Sequence, residues 1–387
     1  MEFELTETQQ LFKRSARELF AQECSPALVR EVVEKGLPYP EPLWQKMVEQ
    51  GWTGLIFSEE DGGLGLGMVE MAVAFEEMGR ALVPSALLST VPLAGSLIAA
   101  VATGERRAEL LQAISEGKAR ATVALLEENA DWDTNAATLS ATQTGDVIRL
   151  NGRKLFVTDA AFADYIITSA RLGSELALSL INRDVPGVSI QEMPTIDATR
   201  RLYEVAFDGA EISATDVLAR GEEARKSLAR AIDVATLAVA AEMVGGMQWL
   251  LDAAVEYAKT RKQFGKPIGQ FQAVQHHCAN MLLMTESARS AVYYAAWVMG
   301  NEPEQAPLAV SMAKAYASDS IREVGNLCVQ VHGGIGFTWE HDVHFYYKRA
   351  KSSELLFGDA TYHRERIARL IVDEAVASEK SISSAAD

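Results

Sequence analysis

Cysteine is scarce in this sequence, and positive charge is in deficit. The three cysteines, Cys24, Cys278 and Cys328, are odd in number and widely spaced. This excludes a disulfide framework and the usual cysteine spacings of metal sites, so reduced thiols in a cytoplasmic protein are the simplest account. The net charge is −17, whereas nucleic acids and anionic membranes both require a basic face. We therefore expect neither of them as a partner.

Long hydrophobic runs and phosphate-loop signatures are also missing. The start, Met-Glu-Phe-Glu-Leu-Thr-Glu, has neither the basic residues nor the apolar core of a signal peptide. The apolar stretch 87–103 is short for a membrane span and predicts a buried core helix. The glycines of residues 51–67 are not followed by Lys-Ser/Thr, so they predict a close-packed loop. The histidines lack ligand spacing, and no metal site is expected.

The spacing of apolar residues along the chain predicts a multi-domain α+β protein. A chain of 387 residues is longer than one compact core usually holds. Apolar spacings of three and four predict an N-terminal helical domain (1–118) and a C-terminal helical bundle (221–387), with a frayed tail after Ser378. Between them, short apolar runs separated by turn residues predict a central β-barrel or sandwich domain (119–220), with Asn151–Gly152 as a hairpin turn.

One break between two long alanine-rich helices gathers unusual residues. Arg261, Gln263 and Phe264 directly precede a Gly-Lys-Pro-Ile-Gly segment, which must end a helix because glycine and proline oppose its continuation. A cation, an amide and an aromatic ring at such a break suit a phosphate and a planar ring system. Taken alone, the same residues also describe an ordinary solvated helix end.

Several stretches together resemble the acyl-CoA dehydrogenase family. Residues 261–265 and 330–337 are similar to its two signature stretches, residues 152–158 to its middle domain, and residues 75–80 to its first domain. The resemblance implies N-terminal helices, a central β-barrel-like domain and a C-terminal four-helix bundle, assembled as a tetramer or dimer. It also implies bound FAD and oxidation of an acyl-CoA thioester to the trans-2-enoyl-CoA. In the family a glutamate removes the α-proton while the β-hydrogen leaves as hydride to the flavin.

The resemblance assigns FAD-binding roles to particular residues. Phe156 and Thr158 fall where an aromatic ring and a hydroxyl contact the isoalloxazine, although an ordinary strand pair in a β core is the alternative. A second group resembles the residues around the pyrophosphate and adenosine half, which in the family reach across an interface to the FAD of the neighbouring subunit. These residues are Arg261, Gln263, Phe264, Gln330, Gly333 and Gly334.

The family's catalytic base has no match. At its commoner position, in the turn after the last long helix, the sequence has Phe357; the alternative position, on the helix ahead of Arg261, falls near Ala235. Residues 127–132, Glu-Glu-Asn-Ala-Asp-Trp, replace a Thr-Glu-Pro-Gly-Ala-Gly-Ser-like loop. This replacement removes flavin-side and thioester-side groups, and it adds negative charge where a polyphosphate ligand would pass.

The surviving residues are those that would serve a neighbour's FAD, and the missing ones would serve the chain's own substrate. This pattern leads to the hypothesis of a non-catalytic subunit in a heteromeric acyl-CoA dehydrogenase, with electron-transfer flavoprotein as the implied electron acceptor. One alternative is a self-sufficient homo-oligomer with Asp359 or Asp233 as a displaced base, although Asp359 equally suits a capping role. Other flavin chemistry and a flavin-free scaffold remain open. The sequence does not distinguish fatty, branched, aromatic or steroid-derived acyl groups.

Overall fold

The computed structural model describes residues 4–37 and 39–373, and its order of helices, strands and helices confirms the predicted fold class. Thr6 caps the first helix, because its Oγ1 accepts a hydrogen bond from the Gln9 N–H at 3.2 Å and its own N–H donates to Gln9 Oε1 at 2.9 Å. The helices before the sheet are α1 (Glu7–Glu23), α2 (Pro26–Lys35), α3 (Glu41–Glu49), α4 (Met68–Ala81), α5 (Ser96–Val101) and α6 (Gly104–Ser115). A buried π-helical segment, Ser89–Gly95, leads into α5, so the apolar stretch is a core helix.

The predicted β region forms a mixed sheet in the order β6-β7-β3-β2-β4-β5-β8, with β1 paired in parallel to β4. Alternate residues of β3 and β7, such as Ile148, Leu150, Val205 and Phe207, point into an apolar core. The strands are β1 (Ala121–Ala124), β2 (Ser140–Thr144), β3 (Val147–Thr158), β4 (Tyr165–Leu172), β5 (Glu175–Asn182), β6 (Val188–Met193), β7 (Leu202–Ser213) and β8 (Val217–Arg220).

The predicted hairpin turn at Asn151–Gly152 is wrong. β3 continues through both residues, and Gly152, with φ +132°, lies beside a shift in register between β3 and β7. The hairpin turn is Gly145–Asp146, since the residues on either side of it pair with each other, and Gly145 has φ +59°. Turns and bulges both favour glycine at positive φ, so the dipeptide alone does not distinguish them.

The second helical region follows the sheet. Its helices are α7 (Gly221–Thr260), α8 (Gln272–Asn301), α9 (Ala306–His332), α10 (Val343–Leu355) and α11 (Ala360–Ala368), and the short strands β9 (Lys262–Gln263) and β10 (Lys266–Pro267) pair between α7 and α8. Among the described residues, α7 alone is long and apolar enough to cross a membrane, but 89% of its apolar window is buried within the protein. The predicted frayed tail after Ser378 lies outside the described residues.

The chain divides into two compact units. We call Met1–Glu18, Met68–Leu82 and Val239–Asp387 the helical unit, and Leu19–Gly67 and Val83–Ala238 the sheet unit. The domain boundaries placed after residues 118 and 220 stay predictions.

In the helical unit, α4 and α7 pack backbone against backbone. A Cβ atom at Gly79 would lie 1.9 Å from the carbonyl oxygen of Glu242, and one at Gly245 would lie 1.8 Å from the carbonyl oxygen of Glu76. The contact is reciprocal, because the glycine of each helix faces a carbonyl of the other. Both positions therefore require the absence of a side chain.

Buried ion pairs accompany this contact. The buried Glu76 carboxylate accepts hydrogen bonds from Lys13 Nζ at 2.7 Å, Arg289 Nε at 3.2 Å and the Tyr293 hydroxyl at 2.7 Å. Burial opposes ionisation, but Lys13 and Arg289 hold the pKa of Glu76 below its ordinary value. The buried charge of Glu76 is compensated by the positive charges of Lys13 and Arg289, so one network of ion pairs and hydrogen bonds connects α1, α4 and α8.

We expect Gly79→Ala or Gly245→Ala to lower the free energy of unfolding by about 3 kcal/mol, at the upper end of overpacking effects, because α4 and α7 must separate to admit the methyl group. Urea unfolding measures the change. Gly246→Ala is the matched control, because its Cβ would meet Ile321 Cδ1 at an ordinary 3.5 Å. That control should stabilise the protein by up to about 1 kcal/mol through helix propensity. Equal effects of Gly245→Ala and Gly246→Ala would contradict the reciprocal contact.

Candidate functional site

The first predicted cofactor segment is a tight hairpin of the helical unit. Phe264 and Gly265 form its two-residue turn with φ of +51° and +79°, between β9 and β10. The Phe264 ring is 91% exposed and meets Phe271 edge-on, with ring centroids 6.0 Å apart. In the part of the chain that the structure describes, the side chains of Arg261 and Gln263 form no hydrogen bond or ion pair. Their donors face solvent and are available to a ligand.

The second predicted segment is the end of α9. His332 is the last helical residue, and Gly333 turns the chain away with φ +64° and ψ −142°. A Cβ at Gly333 or Gly334 would meet no heavy atom within 4 Å among the described residues, and both glycines are exposed. Gly334 is therefore not required by protein packing, and its open backbone is suited to the approach of a ligand. The Gln330 side chain is exposed one turn earlier.

An aromatic stack joins these two segments. The Tyr257 and His332 rings lie 4.5 Å apart at an interplanar angle of 25°. Tyr257 is one helical turn before Arg261, and His332 directly precedes Gly333, so the two segments lie at the same end of the helical unit. His332 Nδ1–H donates to the Cys328 carbonyl oxygen at 2.8 Å. Burial lowers the pKa of His332, so the imidazole is a neutral structural ring.

The remaining predicted flavin contacts lie on β3 in the sheet unit. Phe156 has φ +55°, its ring is 42% exposed, and its N–H donates to the Met193 sulfur at 3.3 Å. A thioether is a weak acceptor, so this N–H is only lightly engaged. Thr158 is buried, and its carbonyl oxygen accepts a hydrogen bond from Thr122 Oγ1 at 2.6 Å. Phe156 therefore presents a ring to solvent, whereas Thr158 is covered by protein.

The position of the family's usual base is a strained, buried turn. Phe357 has φ +60° and is 2% exposed, and Gly358 follows with φ +98°. Lys314 Nζ, fully buried on α9, donates to the carbonyl oxygens of Glu354 at 3.0 Å and Gly358 at 2.7 Å. His363 Nε2–H donates to the Phe357 carbonyl oxygen at 3.0 Å. The turn is thus fixed by side chains from α9 and α11.

Lys314 and His363 were missed from the sequence. A lysine in an alanine-rich helix resembles a solvated residue, and His363 has no ligand spacing. Burial, reinforced by the nearby Lys314 and Arg366, lowers the pKa of His363 to about 3, so this histidine remains a neutral donor. No local pattern reveals either role, because their acceptors are backbone carbonyls.

The two proposed carboxylate bases occupy different environments. Asp359 Oδ1 accepts a hydrogen bond from the Tyr362 N–H at 2.8 Å, as the N-cap of α11. This is the capping role that the sequence allowed. Asp233 is 4% exposed on α7, two residues from the fully buried Ala235. Neither assignment as a base is tested by this geometry, and both stay predictions.

Glu127 corrects part of the expected acidic loop. Its carboxylate is buried and accepts hydrogen bonds from Lys154 Nζ at 2.6 Å, the Thr138 N–H at 2.9 Å and the Leu139 N–H at 3.0 Å. Burial opposes ionisation, but the bonds from Lys154 and Thr138 hold the pKa of Glu127 below its ordinary value. Glu127 therefore points inward, and its negative charge is paired with Lys154. It does not contribute the negative charge expected on the surface of the loop.

Sequence models of three protein domains match the chain. They are the acyl-CoA dehydrogenase N-terminal domain at residues 6–118, the middle domain at 122–210 and the C-terminal domain at 226–372. The chain belongs to the acyl-CoA dehydrogenase family. The predicted resemblance is confirmed, and the chain is a member of a family of oxidoreductases.

Individual members of the family align over almost the whole chain. The probable acyl-CoA dehydrogenase YngJ of Bacillus subtilis is 31% identical, with 96% of this chain and 100% of the relative covered. The structure of butyryl-CoA dehydrogenase from Megasphaera elsdenii is 27% identical with a TM-score of 0.89, covering 96% of this chain and 100% of that one. The ChsE4–ChsE5 complex from Mycobacterium tuberculosis includes a chain that is 28% identical with a TM-score of 0.87, with coverages of 95% and 98%.

FAD is the cofactor of this family, and the residues present fit it. Arg261 offers a planar fork of donors suited to a diphosphate. The same end of the helical unit carries the accessible backbone of Gly333 and Gly334 and the Gln330 amide. Among the described residues, no protein group occupies the space beside the two glycines or bonds to the Gln330 side chain. In the sheet unit, Phe156 offers an aromatic surface to a planar ring.

We expect Glu127→Gln to lower the free energy of unfolding by about 1–3 kcal/mol at pH 7, because Lys154 would lose its charged partner. The folded-state pKa of Glu127 is depressed, so its stabilisation is present above the unfolded-state pKa and is lost as the pH falls through the folded-state value. The difference from wild type should therefore shrink below about pH 4. Urea unfolding across this pH range measures it.

Glu128→Gln is the neighbouring control, because Glu128 is exposed and pairs with Arg153 at the surface. This control should change stability by less than about 1 kcal/mol. A pH-independent loss in Glu127→Gln would show that the carboxylate charge is not what Lys154 requires.

Proposed function

We propose that this chain is the non-catalytic, FAD-completing subunit of a heteromeric acyl-CoA dehydrogenase. Its partner would be a second acyl-CoA dehydrogenase subunit that carries out α,β-desaturation of an acyl-CoA thioester. The observation that carries the proposal is the buried Phe357 at the position of the family's usual base. The electrons of the complex are expected to pass to electron-transfer flavoprotein.

The chemistry of the reaction explains why Phe357 supports the proposal. The α-proton of a thioester is weakly acidic, so its removal needs a carboxylate whose pKa is matched to the task. A phenyl ring has no basic atom, and Ala235 at the alternative position has none either. A chain with no base at either position is suited to support a partner's reaction.

The FAD-binding groups support the second part of the proposal. Bound FAD supplies the hydride acceptor, and this chain's residues would hold its diphosphate and adenosine half. Arg261 would pair with the phosphates, Gln330 and Gly334 would donate hydrogen bonds beside them, and the exposed Phe264 would lie against the adenosine portion. These four side chains or peptides face solvent in the helical unit, as groups that serve a neighbouring chain must. Similarity to a chain of the ChsE4–ChsE5 complex supports assembly with a second family member.

Replacing Arg261 tests completion of the partner's FAD site. We expect Arg261→Gln in this chain to weaken FAD binding by the purified two-chain complex by about 10–100-fold, since a hydrogen bond to a charged group contributes about 1.5–3 kcal/mol. Fluorescence titration of released and rebound FAD measures the affinity. The complex is obtained by co-expressing this chain with a catalytic acyl-CoA dehydrogenase subunit that co-purifies with it.

Lys262→Gln is the matched control for Arg261→Gln. Lys262 is adjacent, exposed and equally charged, but lies on the hairpin strand β9. Unchanged FAD affinity in Arg261→Gln, or full FAD loading and turnover by this chain alone, would refute the proposal.

The self-sufficient alternative uses Asp359 or Asp233 as the base, and Asp359 is the one at the turn after the last long helix. We expect Asp359→Asn to leave turnover of the complex within about twofold, because asparagine caps a helix as well as aspartate does. Steady-state kinetics with FAD content measured in parallel checks this. Loss of turnover with FAD still bound would instead identify Asp359 as a displaced base. Asp359→Ala distinguishes the cap, since its loss should cost about 1 kcal/mol of stability.

A further inference from the structure

Residues 127–138 of the sheet unit form a loop that is held by hydrogen bonds within the loop and to neighbouring strands. The Asp131 carboxylate accepts a hydrogen bond from the Asp133 N–H at 2.9 Å, and Asp133 accepts one from the Asn135 N–H at 2.8 Å. Arg171 Nε donates to the Ala137 carbonyl oxygen at 2.9 Å. With Glu127 anchored on Lys154, both ends of the loop are held in place.

The same loop is fastened to the first half of α7. Arg225 on α7 donates from Nη1 to the Asn135 side-chain oxygen at 3.3 Å. Trp132 of the loop and Leu228 and Ile232 of α7 are among the residues that line a cavity of about 20 Å³. This volume accommodates about one water molecule. A ligand of drug size needs a pocket of some hundreds of Å³, so no acyl thioester fits between the loop and α7.

Negative charge at the loop adds an electrostatic barrier to this steric one. Asp131 and Asp133 are exposed and line the cavity. In the described part of the chain, their side chains accept hydrogen bonds from the loop and form no ion pair. A polyphosphate such as coenzyme A would meet two uncompensated carboxylates there.

Resting on the proposed function, we propose that loop 127–138 is a fixed plug that excludes acyl-coenzyme A thioesters from this chain, with Trp132 as the residue that fills the cleft. On this proposal the chain lacks a base at the family's usual position, and the space between loop 127–138 and α7 is closed to an acyl thioester of its own. A pair of this chain and its catalytic partner binds one acyl-CoA, and the partner alone selects the acyl group.

Trp132→Ser tests the plug directly. The probe is S-octyl-coenzyme A, a thioether that cannot undergo α,β-desaturation because it has no carbonyl group to acidify an α-proton. It is titrated into the full-length chain, and binding is measured by calorimetry. Wild type should give no saturable binding, whereas Trp132→Ser should bind saturably, with an association constant at least tenfold above the detection limit of the wild-type titration. Raising the salt concentration should strengthen binding to the variant if Asp131 and Asp133 repel the probe, and Asp131→Asn in the Trp132→Ser background should do the same at low salt.

Trp297→Ser on α8 is the matched control, since Trp297 is also half-buried but lies in the helical unit. It should behave as wild type. Saturable binding of one probe per wild-type chain would overturn the plug, as would a folded Trp132→Ser variant that binds no better than Trp297→Ser.

The wild-type two-chain complex gives a measurement that does not depend on the variant folding. It should bind one S-octyl-coenzyme A per pair of chains, and two per pair would overturn the proposal. These titrations follow a coenzyme A ligand and not FAD. A failure of the plug is therefore distinguishable from a failure of Arg261 to complete the partner's FAD site.

Discussion

The reciprocal contact between α4 and α7 is the constraint on which the helical unit depends. Gly79 and Gly245 bring two backbones to a separation that any side chain would prevent, and the carboxylate of Glu76 extends from the same turn of α4 to Lys13 and Arg289. Close approach alone would leave a carboxylate buried without compensation, and ion pairs alone would not fix the helix spacing. Together they fix the position of the long helix α7, whose C-terminal end carries Tyr257 and the Arg261 hairpin.

The 354–359 turn explains how a catalytic group can be lost while its fold is kept. Its backbone is fixed by Lys314 and His363, which bond to carbonyl oxygens that every residue possesses. A left-handed conformation at a non-glycine residue persists only where surrounding contacts determine it. Those contacts end on backbone carbonyl oxygens, so under the proposed function a phenyl ring can take the place of a carboxylate at residue 357 while the turn is kept.

Sequence patterns predicted the features that depend on neighbours along the chain. The apolar spacing in residues 221–387 predicts helices, of which α8 is one, and Asp359 has the local signal of a cap. The patterns did not predict contacts between distant positions, such as Gly79 with Glu242 or Glu127 with Lys154. The sequence of residues 127–132 predicts added negative charge, and the buried Lys154 that compensates Glu127 lies 27 residues away, outside any local pattern. The functional segments were recognised by resemblance, whereas their common location depends on the Tyr257–His332 stack.

The proposed division of labour also has a physical rationale in stability. In a homo-oligomer whose cofactor sites are shared between identical chains, one sequence must carry both the groups that complete a neighbour's cofactor site and the groups that hold its own substrate. A heteromeric pair separates these tasks. A desolvated carboxylate poised as a base opposes stability, whereas Phe357 buries apolar surface in the same turn and stabilises it. Under the proposed function, a chain without substrate binding would gain stability from an apolar residue at the base position, whereas Arg261 and Gln330 would remain constrained by the partner's FAD.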